Sequence, residues 1–378
     1  MLFALFLLPV ATPSFGANAQ LPSTYASWID TVNYYRVASG LAPITEDKQL
    51  SSDVQKHLNY LTMSDPKYFT GKYVNRHLEN PASPYYSVIA ANNGQALSST
   101  LTDAQSQSVD LWMVSPFHAI GFLRQRLVKV GWALAYNPTT GFYDSGADFL
   151  EGPKPSNAKI ITYPGNGSFS RLDTYRGESP DARDSCGVNG RTFTGLPIWV
   201  SFTSSPPSKM SARIVTPEGK ILSSATQLCI VNEFNIKTTD PVYGSMGKII
   251  IHANHMVLII PKKPLTPGLN KISLSLSGRP KISWSFTEIA KPADIALTET
   301  NNPTSISWEA PPSPSANPTV GYDVLVADQT LKGIKTFSTV SNTFSTTSLS
   351  PGNYWVCVET VGKYRTGTCK NFAGYKAG

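Results

Sequence analysis

Two histidines and a glutamate in the first third of the chain are the residues whose types and spacing could support chemistry. His77 and Glu79 are two residues apart in a stretch without a sustained hydrophobic period, so they would project the same way if that segment is extended. His118 follows Ser115 and Pro116, an N-cap residue and a first-turn proline, which places it in the first turn of a short helix. Imidazole and carboxylate groups can act as bases or hold a divalent metal ion.

No nucleophile motif accompanies these residues in the sequence. Nucleophilic catalysis needs a nucleophile held by a base, and that base held by an acid. Ser83 and Ser115 are near in order, but a turn and a helix cap explain them. His57 borders the apolar stripe of a helix and is expected to pack there, while His252 and His255 are expected in surface or packing positions. We therefore assign no catalytic residue.

Helices followed by a pair of strands must position the two histidines and the glutamate. Apolar residues recur every three or four positions, which predicts a helix from Trp28 to a glycine cap at Gly40 and a second helix from near Asp47. Alternation over residues 128–136 predicts a strand with one buried face, and a second strand returns over residues 142–150.

Several ordered motifs give this region a family resemblance. The motifs are W-M-x-x-P-F-H at Trp112–His118, V-G-W-A at Val130–Ala133, V-N-Y-Y-R at Val32–Arg36, G-L-A-P at Gly40–Pro43 and H-L-E-N-P at His77–Pro81. With them the region resembles the CAP superfamily of cysteine-rich secretory proteins, antigen 5 and pathogenesis-related proteins, and bacterial secreted members fit best. The resemblance covers roughly residues 25–150.

The resemblance implies a site. In CAP domains, histidines at the positions of His77 and His118 face each other across a cleft and are joined by two acidic residues. The Gly-Glu-Asn motif that supplies one acid is missing here, and Gly94-Gln95-Ala96 stands nearest in order. The implied cleft residues are His77, Glu79 and His118, which could hold a zinc ion or another divalent metal with Glu79 as the acid. The open alternative is a histidine pair joined by water and backbone hydrogen bonds.

The remaining chain changes from helical to alternating periodicity after the breaker-rich residues 151–156. Short strands, including one at Lys248–His252, predict an Ig-like sandwich, and landmarks after Pro292 resemble a fibronectin type III domain with Tyr354 as its tyrosine corner. We expect an α+β protein, an α-β-α CAP sandwich followed by two all-β immunoglobulin-like sandwiches. The expected boundaries are 1–19 for a signal peptide, 20–155 for the CAP domain, 160–288 for the Ig-like domain and 291–378 for the fibronectin-like domain.

Composition and cysteines indicate an exported protein. Residues 2–11 form an apolar segment too short to span a bilayer, and Ala17-Asn18-Ala19 fits a cleavage site, which predicts a secreted protein without a transmembrane segment in the mature chain. Cysteines are even in number, and we expect Cys186–Cys229 and Cys357–Cys369 disulfides, each within its own module. The net charge of +7 comes without a basic run interleaved with aromatics, so nucleic acid is not expected as a partner.

Two classes of function stay open. In the first, the protein is a non-catalytic extracellular binding or surface-interaction protein whose CAP cleft recognises a peptide, a lipid or a cell-wall ligand. In the second, it is a metal-dependent, protease-like hydrolase that uses His77 and His118. We favour the first, because a metal-dependent hydrolase needs at least three ligands and an open position.

Overall fold

The computed structural model describes residues 21–22, 26–90, 96–100, 105–139, 142–153, 155–188, 192–237, 240–289, 297–299, 304–308, 320–328, 335–361 and 373–377. The predicted signal peptide, Gly94, Gln95, Cys369 and the side chain of Cys357 lie outside what is described, so the expectations placed on them stay predictions. We call residues 21–153 the first unit, 155–289 the second unit and 297–377 the third unit.

The first two helices of the first unit begin where the sequence predicts, and the first ends before the predicted glycine cap. Ser27 caps α1 by accepting a hydrogen bond from the backbone N–H of Asp30, and Asp47 caps α2 in the same way. Gly40 has a φ of 74°, which allows the chain to leave α1. The elements are α1 (Trp28–Ala38), α2 (Lys48–Met63), α3 (Gln105–Val114) and α4 (Pro116–Phe122), with 3-10 turns at Pro66–Tyr68 and Gly71–Val74.

The sheet of the first unit lies between two helical layers. Its strand order is β1-β3-β4-β2, with β1 parallel to β3 and the other pairs antiparallel. On one face Trp132 stacks on Trp28 of α1, with ring centroids 5.7 Å apart, and on the other Ala133 packs against α2. This is the expected α-β-α arrangement. The strands are β1 (Thr45–Glu46), β2 (Ala96–Thr100), β3 (Leu127–Asn137) and β4 (Phe142–Glu151).

The expectation of one buried face on β3 is wrong, because α2 covers the second face as well. Gly131 makes this possible, since a Cβ at that position would lie 2.3 Å from the backbone of Leu50 in α2. The predicted alternation also fails at the ends of the strand. The pairing of β3 with β4 shifts register between Leu127 and Lys129, and Val128 between them is exposed.

Arg36 anchors the end of α4 to α1. Its guanidinium is fully buried and donates to the backbone oxygens of Ala42, Phe122, Arg124 and Leu127. Burial lowers the pKa of Arg36 to about 10. The arginine of the V-N-Y-Y-R motif therefore holds the helix that carries His118 in place.

The second unit is a β-sandwich of two facing sheets. One sheet has the order β12-β13-β9-β5 and the other β11-β10-β14-β15-β6, with a separate β7-β8 pair. Side chains of both sheets form the sandwich core, including Val257 and Phe286. The strands are β5 (Ile161–Tyr163), β6 (Ser168–Ser170), β7 (Thr174–Tyr175), β8 (Thr194–Gly195), β9 (Ile198–Ser201), β10 (Met210–Val215), β11 (Ile221–Ser223), β12 (Leu228–Val231), β13 (Met256–Pro261), β14 (Gly268–Leu276) and β15 (Arg279–Glu288).

One segment of this unit differs from its expected structure. Residues Lys248–His252 were expected as a strand and instead belong to helix α5 (Met246–Ala253). A short run of isoleucines does not distinguish a strand from a helix by periodicity. Tertiary packing decides, because Ile251 is fully buried and Gly247 lies against Phe117 of the first unit.

The sheet β12-β13-β9-β5 packs on both faces. Val257 and Ile259 of β13 point into the sandwich core, while Met256 and Leu258 belong to the core that contains α1, α3 and α4. This explains the unbroken apolar run of β13, since a strand covered on both faces has no polar positions. No described sheet contains strands of both units, but one hydrophobic core includes residues of both. The expected domain boundaries stay predictions.

A buried ion pair joins the two units at this contact. Arg171 of the second unit donates from Nε to Oδ2 of Asp110 in α3 at 2.7 Å, and from its terminal nitrogen to Oδ1 at 3.1 Å. The same guanidinium donates to Ser106, and the Tyr35 hydroxyl donates to Asp110 at 2.7 Å. Both charged side chains are at least nine-tenths buried, and the guanidinium also donates to the backbone oxygen of Pro22 at 2.6 Å.

A disulfide inside the second unit confirms one of the two predicted pairings. Cys186, at the end of the 3-10 turn Ala182–Cys186, bonds to Cys229 of β12, with Cα atoms 5.7 Å apart. The Cys357–Cys369 pairing stays a prediction.

The third unit is a second sandwich. Its sheets have the orders β16-β17-β20 and β19-β18-β21-β22, and Trp308 and Val324 from the two sheets meet in its core. As predicted, the Tyr354 hydroxyl donates to the backbone oxygen of Ser350 at 2.9 Å, which is the tyrosine corner. The strands are β16 (Leu297–Glu299), β17 (Ser305–Trp308), β18 (Gly321–Asp328), β19 (Lys335–Thr339), β20 (Thr343–Ser345), β21 (Gly352–Val361) and β22 (Ala373–Ala377).

Over the described ranges, no helix has both the length and the apolar character needed to cross a bilayer.

Replacing Arg171 by leucine tests the junction. The Asp110 carboxylate would stay buried without its cation, so we expect a loss of about 3–5 kcal/mol in the free energy of unfolding. Arg126→Leu is the matched control, because Arg126 is half exposed in its pair with Glu151 and should cost no more than about 1 kcal/mol. Urea unfolding followed by tryptophan fluorescence measures both. Equal losses in the two variants would contradict a junction held by this ion pair.

Candidate functional site

His118 lies in the first turn of α4, as the sequence predicts. Ser115 occupies the N-cap position and Pro116 the first helical position. The Ser115 hydroxyl donates to the backbone oxygen of Leu111 rather than capping α4. The neighbouring Phe117 is buried, whereas about a fifth of the His118 side chain is exposed. The imidazole therefore stands at the edge of the core.

The acid that holds His118 comes from the second unit. His118 Nδ1 lies 2.6 Å from Oε2 of Glu178, and the backbone N–H of Phe117 donates to Oε1 of the same carboxylate at 3.0 Å. The Tyr175 hydroxyl also donates to Oε1, at 3.2 Å. Burial, followed by the charges of Glu178 and Asp181, raises the pKa of Tyr175 well above its usual value, so this hydroxyl keeps its proton. Glu178 is thus a nearly buried carboxylate with three donors.

A tight loop presents Glu178 to the first unit. Gly177 has a φ of 98°, and a Cβ there would lie 2.1 Å from the guanidinium of Arg183 and 2.5 Å from the carboxylate of Asp181. Arg183 and Asp181 form a close ion pair, and Arg183 also lies over the Tyr175 ring. Glycine is required here because the ion pair fills the space that a side chain would take.

The structure places Glu79 in a different pair from the one expected. Its Oε1 is 2.8 Å from Nδ1 of His57, and its Oε2 accepts from the backbone N–H of Ser87. His57 Nε2 lies 2.9 Å from the backbone oxygen of Arg76, so both ring nitrogens face acceptors. Both side chains are fully buried. This pair ties the loop after α2 to that helix, and it confirms that His57 is a packing residue.

His77 lies beside a residue of the second unit. Its ring is 5.8 Å from that of Tyr243 in an edge-on arrangement, and its backbone N–H donates to Asn75. Burial, followed by the charge of Asp240, raises the pKa of the Tyr243 phenol. Four residues later, a Cβ on Gly247 would lie 3.1 Å from the ring of Phe117. The segment Tyr243–Gly247 of the second unit therefore reaches from His77 to the residue before His118.

Whether these residues can bind a metal ion depends on the hydrogen bonds that their candidate ligand atoms already make. Both oxygens of Glu79 are engaged by His57 and Ser87, and Nδ1 of His118 is engaged by Glu178. In the described part of the chain, no group of three or more histidine, cysteine, aspartate or glutamate side chains is arranged to hold a metal ion. A zinc site made of His77, Glu79 and His118 is not supported by this geometry and stays a prediction.

Sequence reasoning found both histidines but missed Glu178, Tyr243 and Gly247. These three lie outside the motifs that carry the resemblance: Glu178 and Tyr243 come from a loop and a turn of the second unit, and Gly247 lies in the first turn of α5. Gly177, in the run Arg176-Gly177-Glu178, indicates a turn, but a turn signal does not say which side chain it presents.

These features agree with the comparisons with known proteins. The first unit is an α-β-α sandwich with a histidine at the start of a short helix, and β-sandwiches follow it. Residues 29–147 match the model of the cysteine-rich secretory protein family, CAP. The first unit is a CAP domain, as its motifs predicted. Glu178 lies beyond the matched residues. No curated protein matches the chain.

Similar solved structures come from modular β-sandwich proteins. A two-domain fibronectin type III segment of chicken tenascin has 14% identity and a TM-score of 0.23, and covers 48% of this chain and 92% of its own. A segment of titin has 8% identity and a TM-score of 0.25, and covers 62% of this chain and 79% of its own. At these scores the sandwich assignment of the two later units depends on their own strand order and cores.

Glu79→Gln tests whether this residue is structural. Removing the charge beside buried His57 should lower the free energy of unfolding by about 3–5 kcal/mol. Glu151→Gln is the control, because its pairs with Arg124 and Arg126 are partly exposed and should each be worth no more than about 1 kcal/mol. Urea unfolding measures both. A stable Glu79→Gln variant that loses binding of a divalent metal would instead support the predicted metal site.

Gly177→Ala tests the loop that presents Glu178. Gly187→Ala serves as the reference, because Gly187 also has a positive φ but nothing within 4 Å of its Cβ position, so only the backbone strain of about 1–2 kcal/mol applies. Gly177→Ala adds a collision with Arg183 and should cost about 1–3 kcal/mol more. Thermal unfolding compares them. Equal melting temperatures of the two variants would show that the loop tolerates a Cβ atom at position 177.

Proposed function

We propose that this protein is a non-catalytic, secreted binding protein whose CAP cleft, beside His118 where α4 meets the second unit, takes a peptide, a lipid or a cell-wall ligand. A CAP domain followed by β-sandwich units is the composition of an extracellular-type binding protein. Secretion, the signal peptide and a bacterial source belong to this proposal. Nucleic acid is not proposed as a partner.

One observation carries the proposal. His118 is a partly exposed imidazole whose orientation is fixed by a buried carboxylate, at the contact of two units. A ring that only filled space would be covered, as His57 is. Ligand sites often occur at such contacts between domains.

A metal-dependent hydrolase using His77 and His118 is the second candidate. The observation in its favour is the contact between His118 and Glu178, because a base held by an acid is part of a hydrolytic site. It would need a divalent ion with at least three ligands, and the described residues supply no such cluster. Binding without turnover therefore stands first.

A binding screen separates the two candidates. The full chain, immobilised, is exposed to wall fractions, lipid vesicles and peptide mixtures with and without a chelator, and product formation is followed in parallel. We expect binding that the chelator leaves unchanged and no turnover. His118→Ala should weaken binding at least about tenfold, which is roughly 1.4 kcal/mol.

His252→Ala is the matched control for this screen. His252 pairs with Glu233 through the same ring nitrogen but is largely exposed and lies on α5. It should bind as wild type does. Turnover that the chelator abolishes would overturn the binding proposal in favour of the hydrolase, and equal binding by the His118 and His252 variants would show that the cleft is not the site.

A further inference from the structure

We infer that Glu178 is the positioning residue of the CAP cleft, and that it leaves Nε2 of His118 as a hydrogen-bond acceptor for a donor group of the ligand, such as a hydroxyl or an amide N–H. The inference rests on the proposed function of the cleft. It makes the site composite, because the histidine belongs to the CAP domain and its acid to the second unit.

The contacts of Glu178 decide the tautomer of His118. The carboxylate is an acceptor, so Nδ1 at 2.6 Å must carry the proton and donate it. The carboxylate itself cannot turn away, because the Phe117 N–H and the Tyr175 hydroxyl hold its other oxygen. Its side chain is only 3% exposed, so water does not compete for it. A neutral ring with its proton on Nδ1 has its lone pair on Nε2.

The other side of the ring is the side that remains open. Glu178 lies against Nδ1 and about a fifth of the His118 side chain is exposed. In the described residues, Nε2 is not among the buried polar atoms that lack a hydrogen-bond partner. In the described residues no hydrogen-bond partner is found for Nε2 of His118. His57 makes the contrast clear, since an acceptor lies at each of its nitrogens and the ring is fully covered. Both histidines pair with a glutamate, but the His57 ring is fully covered, whereas Nε2 of His118 is left to accept a hydrogen bond.

The charge beside the ring selects the chemistry of the ligand. A neutral Nε2 accepts from an O–H or N–H group, and it repels the lone pairs of an acceptor. An anionic group would also stand close to the negative Glu178. The ligand group that enters here is therefore a donor such as a sugar hydroxyl or a peptide amide.

Nitrogen NMR of the full chain, labelled with ¹⁵N in histidine, tests the positioning directly. Spectra are recorded near pH ~8, above the usual histidine pKa of about 6.5. We expect His118 to show a protonated Nδ1 and an unprotonated Nε2. A ring with its proton on Nε2 would overturn the inference. This result does not depend on any ligand, so it is separate from failure of the proposed function in the binding screen.

Glu178→Met shows whether the carboxylate is the cause. Methionine has a similar length and no acceptor oxygen, so His118 should change to the Nε2–H tautomer or a mixture. Glu233→Met is the matched control, because it removes the carboxylate paired with His252 and should leave the His118 spectrum unchanged. If Glu178→Met fails to fold, the spectrum of the wild-type protein still shows which ring nitrogen of His118 carries the proton. An unchanged His118 tautomer in folded Glu178→Met would overturn the assignment of Glu178.

Two small probes of matched shape test the ligand chemistry. Acetamide has N–H donors and acetate has only acceptors, and each is added to the wild-type protein at equal concentration. We expect acetamide to shift the Nε2 signal of His118 by at least about twice as much as acetate does. An equal or larger response to acetate would overturn the assignment of Nε2 as the acceptor for a donor ligand.

Discussion

The buried ion pair between Arg171 and Asp110 is the interaction on which the arrangement of the first two units depends. Two charges taken out of water are tolerated only where hydrogen bonds surround them, and here Ser106, the Tyr35 hydroxyl and the backbone oxygen of Pro22 bond to the pair. Asp110 lies on α3, directly before the helix that carries His118. The pair therefore fixes the second unit against the CAP domain next to the helix that carries His118, and the shared hydrophobic core extends that contact.

Most of the fold could be predicted from local patterns. The caps of α1 and α2, the turn into α4 and the tyrosine corner at Tyr354 follow from residue types at fixed spacing, and the structure confirms them. What failed needed knowledge of distant neighbours. Lys248–His252 is helical because its apolar side packs against another unit, and β3 is covered on both faces because Gly131 admits α2. The unbroken apolar run of β13 indicates a strand buried on both faces, but the prediction of a β-sandwich did not make use of this pattern.

The site was predictable in part. The motif around His118 identifies the histidine, and helix chemistry places it. Its partner could not be found in this way, because Glu178 follows sixty residues later in a loop of another unit and owes its position to Gly177 and the Arg183–Asp181 ion pair. Proximity in sequence favoured Glu79, which instead satisfies buried His57. Pairing of charges in three dimensions, not spacing along the chain, decides which carboxylate meets which imidazole.

The central claim is that the CAP domain and the second unit form one cooperative body with the cleft at their junction. Native-state hydrogen exchange measures it most directly, through the most slowly exchanging amides of β3 and β13 in the full chain. The account predicts that both strands open with the same free energy, to within about 1 kcal/mol, because one unfolding event exposes them. Opening of one strand at a free energy lower by more than about 2 kcal/mol would contradict it, since the units would then unfold separately.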